Sequence, residues 1–369
     1  MKLIAQIKLL PSPYQAEALR QTIEQTNLAC QFISDLAWET STFRKYYLQR
    51  ACYKIVREQF DLTAQIVVSA IAKVADAYKL KRGERRTFKS SGSIAYDDRI
   101  LSWRLNDSTV NIWTVAGRQR MSFVCGDRQR ELLQTRQGES DLIIYQGMFF
   151  LAAVCDVEEP EPIDIEDVLG VDLGVVNIAA DSDGQVFSGS HINSVRHRMR
   201  RLRSKLQSKG SRSARRKLKQ LSGKEARFAK DTNHCISKQL VAKAKDTSRG
   251  IALEDLKGIR TRVTVRRNQR AKLHSWSFFQ LRAFINYKAQ RAGVPVFLVD
   301  PRNTSRTCPI CGCVDKANRP SKSVFSCVAC SFAGHADHIA AINIGRRADV
   351  NQPNVADTTS VVPATSRLL

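Results

Sequence analysis

Four cysteines late in the sequence have the spacing of a metal site. Cys308, Cys311, Cys327 and Cys330 form the pattern C-x2-C-x15-C-x2-C. Each doublet presents two thiolates from one tight turn, and two doublets complete a tetrahedral shell, as in a four-thiolate zinc ribbon. A closed shell leaves no coordination position for a substrate. We therefore predict a structural Zn²⁺ that stabilises the local fold and takes no part in chemistry.

A fifth thiol, Cys313, follows the first doublet and could replace Cys311 as a ligand. The doublet with two intervening residues has the better geometry, so we favour Cys311. An inert cluster of buried cysteines would not account for two doublets. A redox C-x-x-C pair would need a β-α-β context that the sequence lacks here. The other five cysteines are scattered and are expected to be small buried side chains.

Three acids lie in apolar segments that belong in a core. Asp172 lies in VLGVDLGVVNIAA, Glu254 in GIALEDL and Asp337 in HADHIAAINIG. An unpaired buried carboxylate is costly, and three of them far apart in sequence suggest convergence on a cation. Oxygen ligands suit Mg²⁺ or Mn²⁺ rather than Zn²⁺. Two such ions about 4 Å apart can activate water and stabilise the leaving oxygen in phosphodiester hydrolysis.

Neighbouring polar residues compete for these roles. Strand alternation alone does not separate Glu254 from Asp255, and position inside the apolar run favours Glu254. Turn formation is a sufficient explanation for Asp181 and Asp183 in ADSDG. His338 could reach the metal site, but a surface position is the commoner one for a histidine.

The charge balance points to a polyanionic partner. The chain has 59 Lys+Arg against 35 Asp+Glu, a formal net charge of +24. Residues 194–230 alone hold 15 Lys/Arg and one acid, Glu225. Because so many like charges repel one another, we favour contact with RNA or duplex phosphates over a merely solvated helical face. Trp103 and Trp113 could stack on bases, but in a β region core positions are commoner.

Hydrophobic periodicity predicts the elements that position these residues. The pattern predicts a strand at residues 2–9, helices at about 14–80, and β structure at 94–156. An acidic, proline-containing stretch at 156–167 reads as a domain linker. Beyond it, strands are expected at VLGVDLGVVNIAADSDG, GIALEDL and GVPVFLVD. Helices are expected through 194–246 with a loop around Gly210, at SWSFFQLRAFINYKAQRAG, and at 336–346.

Targeting signals are not evident in the sequence. The opening MKLIAQIKLLPSPYQAEALR lacks the pattern of a signal peptide, because its apolar run is short and a proline-rich break follows. No stretch reaches the roughly 18 apolar residues that a membrane span needs. We therefore expect a cytoplasmic protein with reduced thiols and no membrane partner.

Several linked segments resemble the TnpB proteins of insertion sequences, which are relatives of the type V CRISPR effectors. In chain order they are GVDLGVVNIAADSDG, NHCISKQLVAKAK, IALEDLKGIR, TSRTCPICG with its second C-x-x-C, and ADHIAAINI. They cover residues 168–346, and KLIAQIKLLPSPYQ also resembles the first strand and turn of the family. Several motifs in one order are far more specific than any single motif.

The resemblance implies a multidomain α/β and α+β fold. Its RNase H-like RuvC nuclease domain would carry an inserted zinc ribbon, and its N-terminal β-barrel wedge domain an inserted helical recognition domain. The implied boundaries are 1–10 and 84–160 for the wedge domain, 11–83 for the recognition domain, 161–304 and 334–347 for the nuclease domain, 305–333 for the ribbon, and 348–369 for a disordered tail.

The resemblance also implies an RNA-guided, metal-dependent DNA endonuclease. Asp172, Glu254 and Asp337 would be its catalytic acids and its ligands for Mg²⁺ or Mn²⁺. The partners would be a guide noncoding RNA of the omega type and double-stranded target DNA, cut beside a short duplex motif. The protein would act as a monomer on one RNA, in the prokaryotic cytoplasm at the nucleoid.

The sequence departs from the family pattern in two places. His338 and Ile339 follow Asp337 where the family commonly shows an asparagine nearby, and Cys313 is an extra thiol. Neither change removes a metal-binding acid. Some family members have lost their acids and act as RNA-guided repressors. That function, and an RNase H-like transposase that works without RNA, are the alternatives to the endonuclease.

Overall fold

The computed structural model describes residues 1–174, 176–256 and 278–350. It divides into two compact units, Met1–Glu158 and Glu159–Leu369. The boundary falls inside the acidic stretch at 156–167. The tail predicted to be disordered lies outside the described residues from residue 351 onward. Among the described residues, none of the helices has the length and apolar character required to cross a membrane.

Three long helices follow one another early in the first unit: α1 (Pro13–Glu39), α2 (Lys45–Phe60) and α3 (Ala64–Leu80). A capping box starts α1, in which the Ser12 hydroxyl accepts from the Gln15 N–H and the Gln15 side chain accepts from the Ser12 N–H. Apolar residues three and four apart on α1 and α3 are buried in one core with the sheet.

A seven-stranded antiparallel sheet makes up most of the rest of this unit. Its strands are β1 (Lys2–Leu10), β2 (Ile94–Tyr96), β3 (Leu101–Arg104), β4 (Thr109–Thr114), β5 (Gly117–Val124), β6 (Arg136–Tyr145) and β7 (Met148–Asp156), with helix α4 (Asp127–Gln134) between β5 and β6. Their spatial order is β2-β6-β7-β1-β5-β4-β3. The Tyr96 hydroxyl of the edge strand β2 donates to the Trp113 carbonyl of β4 at 2.9 Å, so this edge of the sheet approaches the strand next to the other edge. Trp103 and Trp113 pack against the core, as predicted.

The second unit is built on a five-stranded sheet in the order β10-β9-β8-β11-β12. Its strands are β8 (Asp167–Asp172), β9 (Asn177–Asp181), β10 (Val186–Ser188), β11 (Arg249–Glu254) and β12 (Val296–Val299). Strand β11 is parallel to β8 and β12, whereas β8, β9 and β10 pair antiparallel. The central strands are continuous apolar runs because helices cover both of their faces.

Within the described residues, five helices accompany this sheet: α5 (Ser190–Lys209), α6 (Arg212–Leu221), α7 (Lys224–Asp246), α8 (Phe278–Ala292) and α9 (Ala336–Val350). Buried residues of α7 and α8 share one core with β8 and β11. Ile344 of α9 packs on the opposite face against Val168 and Ala252. A small hairpin, β13 (Val324–Ser326) and β14 (Ala333–His335), lies in sequence between β12 and α9.

Helix α9 rests directly on the backbone of strand β8. A Cβ atom added to Gly170 would lie 1.9 Å from the carbonyl oxygen of Ala341 and 2.5 Å from the backbone nitrogen of Gly345. Only glycine allows so close an approach between a helix and a strand. The contact therefore sets the position of the start of α9 relative to the end of β8.

Candidate active site

The structure brings the three predicted acids together at the carboxyl ends of two inner strands of the five-stranded sheet. Asp172 ends β8 and Glu254 ends β11, and the parallel register Leu253↔Val171 places both strand ends on the same side of the sheet. Asp337 lies in the first turn of α9, the helix held against β8 by the glycine contact. Residues from three separate parts of the chain thus meet at the carboxyl ends of parallel strands.

The electrostatics of Asp172 show how closely these acids approach one another. Burial, followed by the negative charges of Glu254 and Asp337, raises its pKa to about 7, against an ordinary value of 3.8. The Arg319 guanidinium opposes this shift but does not cancel it. Burial also raises the pKa of Glu254. A cluster in which the carboxylates destabilise one another in this way is suited to binding a cation.

Three polar side chains hold two of the acids in place. The Asn177 amide donates to Asp337 Oδ2 at 2.8 Å, and Arg319 donates to Asp337 Oδ1 at 3.4 Å. The Thr304 hydroxyl donates to Glu254 Oε1 at 2.5 Å. Sequence reasoning missed these residues. The one available signal was that Asn177 is a polar residue inside the apolar run VVNIAA.

Asp255 turns away from the cluster and forms an ion pair with Arg282 at 2.8 Å. Glu254, rather than Asp255, therefore belongs with Asp172, in agreement with the preference drawn from its position in the apolar run. His338 is partly buried rather than at the surface as expected, and its ring contacts a turn. Its Nε2 atom is 3.0 Å from the carbonyl oxygen of Ser182, so it supports the turn after β9.

The two turn aspartates have structural partners. Asp181 is fully buried and accepts from the backbone N–H groups of Asp183 and Gln185, as expected of a turn residue. It also accepts from Lys243 at 2.6 Å. Arg249 donates two hydrogen bonds to Asp183 and, as the leading cause, holds the pKa of that carboxyl well below its usual range. This network fastens the β9–β10 turn to α7 and β11.

The four predicted cysteine ligands converge on one point. The Sγ atoms of Cys308, Cys311, Cys327 and Cys330 all lie within 4.8 Å of one another. Cys308 and Cys330 are 3.6 Å apart, and Cys311 and Cys327 are 3.5 Å apart. Zn–S bonds of about 2.3 Å in a tetrahedron require S···S separations of about 3.8 Å. The arrangement fits a four-thiolate zinc site, and the Cys313 side chain lies outside this group of four.

The cysteine cluster is joined to the helix that carries Asp337. Cys308, Cys327 and Phe325 share a buried core with Ala336 and Ile339 at the start of α9. The backbone N–H groups of Cys330 and Ala329 lower the pKa of the Cys327 thiol, which favours the thiolate that a metal requires. Because Arg319 belongs to the same segment, the fold of the segment that carries the cysteines also determines whether this guanidinium reaches Asp337.

Helices α5 and α6 form a basic surface in the described part of the second unit. Five cations on α6 are exposed: Arg212, Arg215, Arg216, Lys217 and Lys219. A groove of about 590 Å³ along α5 is lined by residues that include His197, Arg198, Arg201 and Lys205. The lone acid of this run, Glu225, pairs with Arg203 at 3.0 Å. It therefore neutralises little of the surface, which retains the charge needed to bind phosphates.

Two family models match the second unit and the end of the first. The model described as "Probable transposase" matches residues 152–258, which include Asp172 and Glu254. The model described as "Cas12f1-like, TNB domain" matches residues 278–344, which include the cysteine cluster and Asp337.

Solved structures are similar to this chain in fold. The structure titled as a Cas12f1–sgRNA–target DNA complex aligns with a TM-score of 0.60 and 18% identity, over 90% of this chain and 83% of that one. The chain thus has a multidomain α/β fold that is also found among Cas12 effectors.

Two curated relatives are similar in sequence. The CRISPR-associated endodeoxyribonuclease Cas12f1 of Sulfoacidibacillus thermotolerans is 33% identical over 199 residues, but the chain covers only 46% of its length. A TnpB-like protein of Methanocaldococcus jannaschii is 33% identical over 199 residues, which are 50% of this chain and 70% of that protein. The match to most of the archaeal protein and the order of the linked motifs agree, and the chain therefore belongs to the TnpB family.

Proposed function

We propose that this chain is an RNA-guided DNA endonuclease that hydrolyses phosphodiester bonds with divalent cations. The observation that carries the proposal is the meeting of Asp172, Glu254 and Asp337, in which the pKa of Asp172 is raised to about 7. Three acids in such proximity destabilise the fold unless a cation compensates them. The name of the Cas12f1 relative, an endodeoxyribonuclease, supports DNA as the substrate.

Asp172, Glu254 and Asp337 would hold Mg²⁺ or Mn²⁺, since these ions prefer carboxylate oxygens. When bound, such ions activate water and stabilise the leaving oxygen of the phosphodiester. The chain itself fixes the ligand oxygens: Asn177 holds Asp337 and Thr304 holds Glu254. Cys308, Cys311, Cys327 and Cys330 would hold a structural Zn²⁺.

The basic helices α5 and α6 would contact the phosphates of the guide RNA or of its duplex with DNA. Such contacts position nucleic acid, whereas base pairing with the guide would read its sequence. The first unit would supply the wedge domain (1–10 and 84–160) and the recognition domain (11–83). We further propose that one chain acts on one omega-type RNA in the prokaryotic cytoplasm at the nucleoid, and cuts double-stranded DNA beside a short duplex motif.

The first experiment is to express the chain with its native flanking DNA, purify it and sequence the RNA that accompanies it. One abundant RNA, with a structured body and a 3′ end that runs past the element boundary, would provide the target for a cleavage assay. Light scattering of the purified complex would then count chains per RNA. Heterogeneous RNA, or none, would contradict guidance, and the acids would then belong to a transposase or to a free-standing nuclease that works without RNA.

The cleavage assay compares Asp172→Asn with a matched control, Asp183→Asn. Asp172→Asn should abolish cutting and leave binding of RNA and target DNA intact. Asp183→Asn changes an ion-paired aspartate of the same unit and should leave cutting measurable wherever the protein is folded. If the wild type binds guided DNA without cutting it in Mg²⁺ or Mn²⁺, the protein is an RNA-guided repressor and the nuclease proposal is wrong.

A further inference from the structure

We propose that Thr304 and Asn343 form a hydrogen-bonded relay that fixes the carboxylate of Glu254 relative to helix α9 and thereby sets the affinity of the acid cluster for divalent cations. The inference rests on the proposed function, because it assigns positioning residues to the same site. Neither residue is one of the three acids or four cysteines, and both lie in the segment between β12 and the end of α9.

The first link is the hydrogen bond from Thr304 to Glu254. The hydroxyl oxygen lies 2.5 Å from Glu254 Oε1 and 3.1 Å from the carbonyl oxygen of Pro301. A hydroxyl has one proton, so it donates to the nearer carboxylate oxygen. Thr304 is 2% exposed, and water therefore has little access to replace the bond. With Oε1 accepting this bond, Oε2 keeps both of its lone pairs for a cation.

The second link fastens Thr304 to α9. The Asn343 side-chain nitrogen donates to the carbonyl oxygen of Thr304 at 2.8 Å and to that of Thr307 at 2.7 Å. These bonds use both protons of the amide, and Asn343 is 5% exposed. The segment 304–307 is thereby held against the helix by bonds that are costly to break without replacement.

The third link is α9 itself. Asp337 lies six residues before Asn343 on the same helix, about 9 Å along the axis and about 240° around it. One side of the helix therefore presents Asp337, which Asn177 holds at 2.8 Å, and another side holds the segment that orients Glu254. The carboxylates of Glu254 and Asp337 belong to different elements, and helix α9 thus fixes the positions of both. Groups that orient metal ligands in this way typically change metal affinity 10- to 100-fold when removed.

The test measures Mn²⁺ binding to the full-length, zinc-loaded chain by electron paramagnetic resonance of free Mn²⁺, with Asp172→Asn as the background. Thr304→Val keeps the shape of the side chain and removes the hydroxyl, and we expect it to weaken Mn²⁺ binding about tenfold or more. Thr304→Ser restores the hydroxyl and should bind as the wild type does. Thr232→Val is the matched control and should bind Mn²⁺ as the wild type does, because its partly buried hydroxyl donates to the carbonyl of Phe228 within α7 and takes part in no bond of the relay.

Two further measurements complete the test. The melting temperatures of the variants without Mn²⁺ or Mg²⁺ show whether each variant is folded, and the Mg²⁺ dependence of DNA cleavage shows whether the site is weakened. We expect Thr304→Val to need about tenfold more Mg²⁺ for half-maximal cleavage while binding guide RNA normally. If Thr304→Val binds Mn²⁺ with wild-type affinity, the relay is wrong. The relay is also wrong if Thr304→Ser binds Mn²⁺ as weakly as Thr304→Val does, because packing alone would then explain the loss. A wild type that binds no Mn²⁺ above the Asp172→Asn background refutes the metal site itself, and the relay with it.

Discussion

Replacement of Asp172 by asparagine should stabilise the metal-free protein, and the gain should grow with pH. An aspartate in the unfolded chain has its ordinary pKa of 3.8, whereas burial and the neighbouring acids raise the pKa of folded Asp172 to about 7. Between these two pH values the folded chain retains a proton that the unfolded chain has lost. Folding stability therefore falls as the pH rises through this window, and the loss is complete above pH 7.

The size of the effect follows from the two pKa values of Asp172. One unit of difference in pKa corresponds to about 1.4 kcal/mol. The ionised Asp172 carboxylate therefore lowers the free energy of unfolding by up to about 4 kcal/mol above pH 7. At pH 5 the same calculation gives a cost of about 2 kcal/mol. Asparagine has no proton to lose, so Asp172→Asn should gain about 4 kcal/mol at pH 8 and about half of that at pH 5.

Urea unfolding in EDTA at pH 5 and pH 8 would measure this gain. Three of the four tryptophans, Trp38, Trp103 and Trp113, belong to the first unit, so tryptophan fluorescence would report the wrong part of the chain. Hydrogen exchange of peptides from β8 and β11 reports the second unit directly. Because EDTA binds Zn²⁺ even more tightly than Mg²⁺, the metal content of the four-cysteine site is measured in the same samples, and only samples with equal zinc occupancy are compared.

Asp183→Asn is the matched control for the pH dependence. Arg249 lowers the pKa of Asp183, so its carboxylate stabilises the fold above pH 4 and loses that contribution only as the pH falls. Asp183→Asn should therefore destabilise the protein at both pH 5 and pH 8. If Asp172→Asn gives the same gain at both pH values, or destabilises the protein at pH 8 in EDTA, the reasoning about the acid cluster is wrong. Added Mg²⁺ should stabilise the wild type at pH 8 and have much less effect on Asp172→Asn.

Three further changes test other parts of the second unit. Gly170→Ala places a methyl group against the carbonyl oxygen of Ala341 and should lower the unfolding free energy by about 1–3 kcal/mol, measured by urea unfolding. It should also reduce cleavage. An unchanged stability would contradict the close approach of α9 to β8. Cys330→Ala should abolish zinc retention, measured by mass spectrometry of the native protein, and lower the melting temperature; full zinc occupancy would contradict the four-cysteine site. Glu225→Gln removes the ion pair with Arg203 and should lower the unfolding free energy by at most about 1 kcal/mol. Because it also removes a negative charge, it should strengthen RNA binding at low salt, measured by filter binding. Weaker RNA binding would contradict a phosphate-binding role for α5.

The sequence predicts the helices and buried strands of this chain better than their ends. Apolar spacing predicts the helical stretch at 14–80, but not its division into three helices. The second break occurs at Asp61, which adopts φ 46° where glycine would have been the usual signal. The bounds of strand β6 do not follow from the sequence, because its first half, RQGES, is polar and mostly exposed, and its pairing with β7 depends on contacts that alternation does not reveal.

The acids and cysteines of the second unit were apparent from the sequence, whereas their supporting residues were not. Asp172, Glu254 and Asp337 stand out because a charge among apolar neighbours is costly. Asn177 and Thr304 are ordinary polar residues whose roles depend on partners 160 and 50 residues away. Local pattern carries no information about such distant pairs, so only the folded structure reveals them.

The glycine contact between β8 and α9 has a consequence for the ion selectivity of the proposed metal site. Backbone lies against backbone there, so no side chain can change rotamer to adjust the separation of the two elements that carry Asp172 and Asp337. Ligands on so stiff a frame suit a small cation with strict octahedral geometry and cannot spread to accommodate a larger one. Calcium would then be a poor substitute for magnesium in this site because of backbone packing alone, although both ions carry the same charge and prefer the same oxygen atoms.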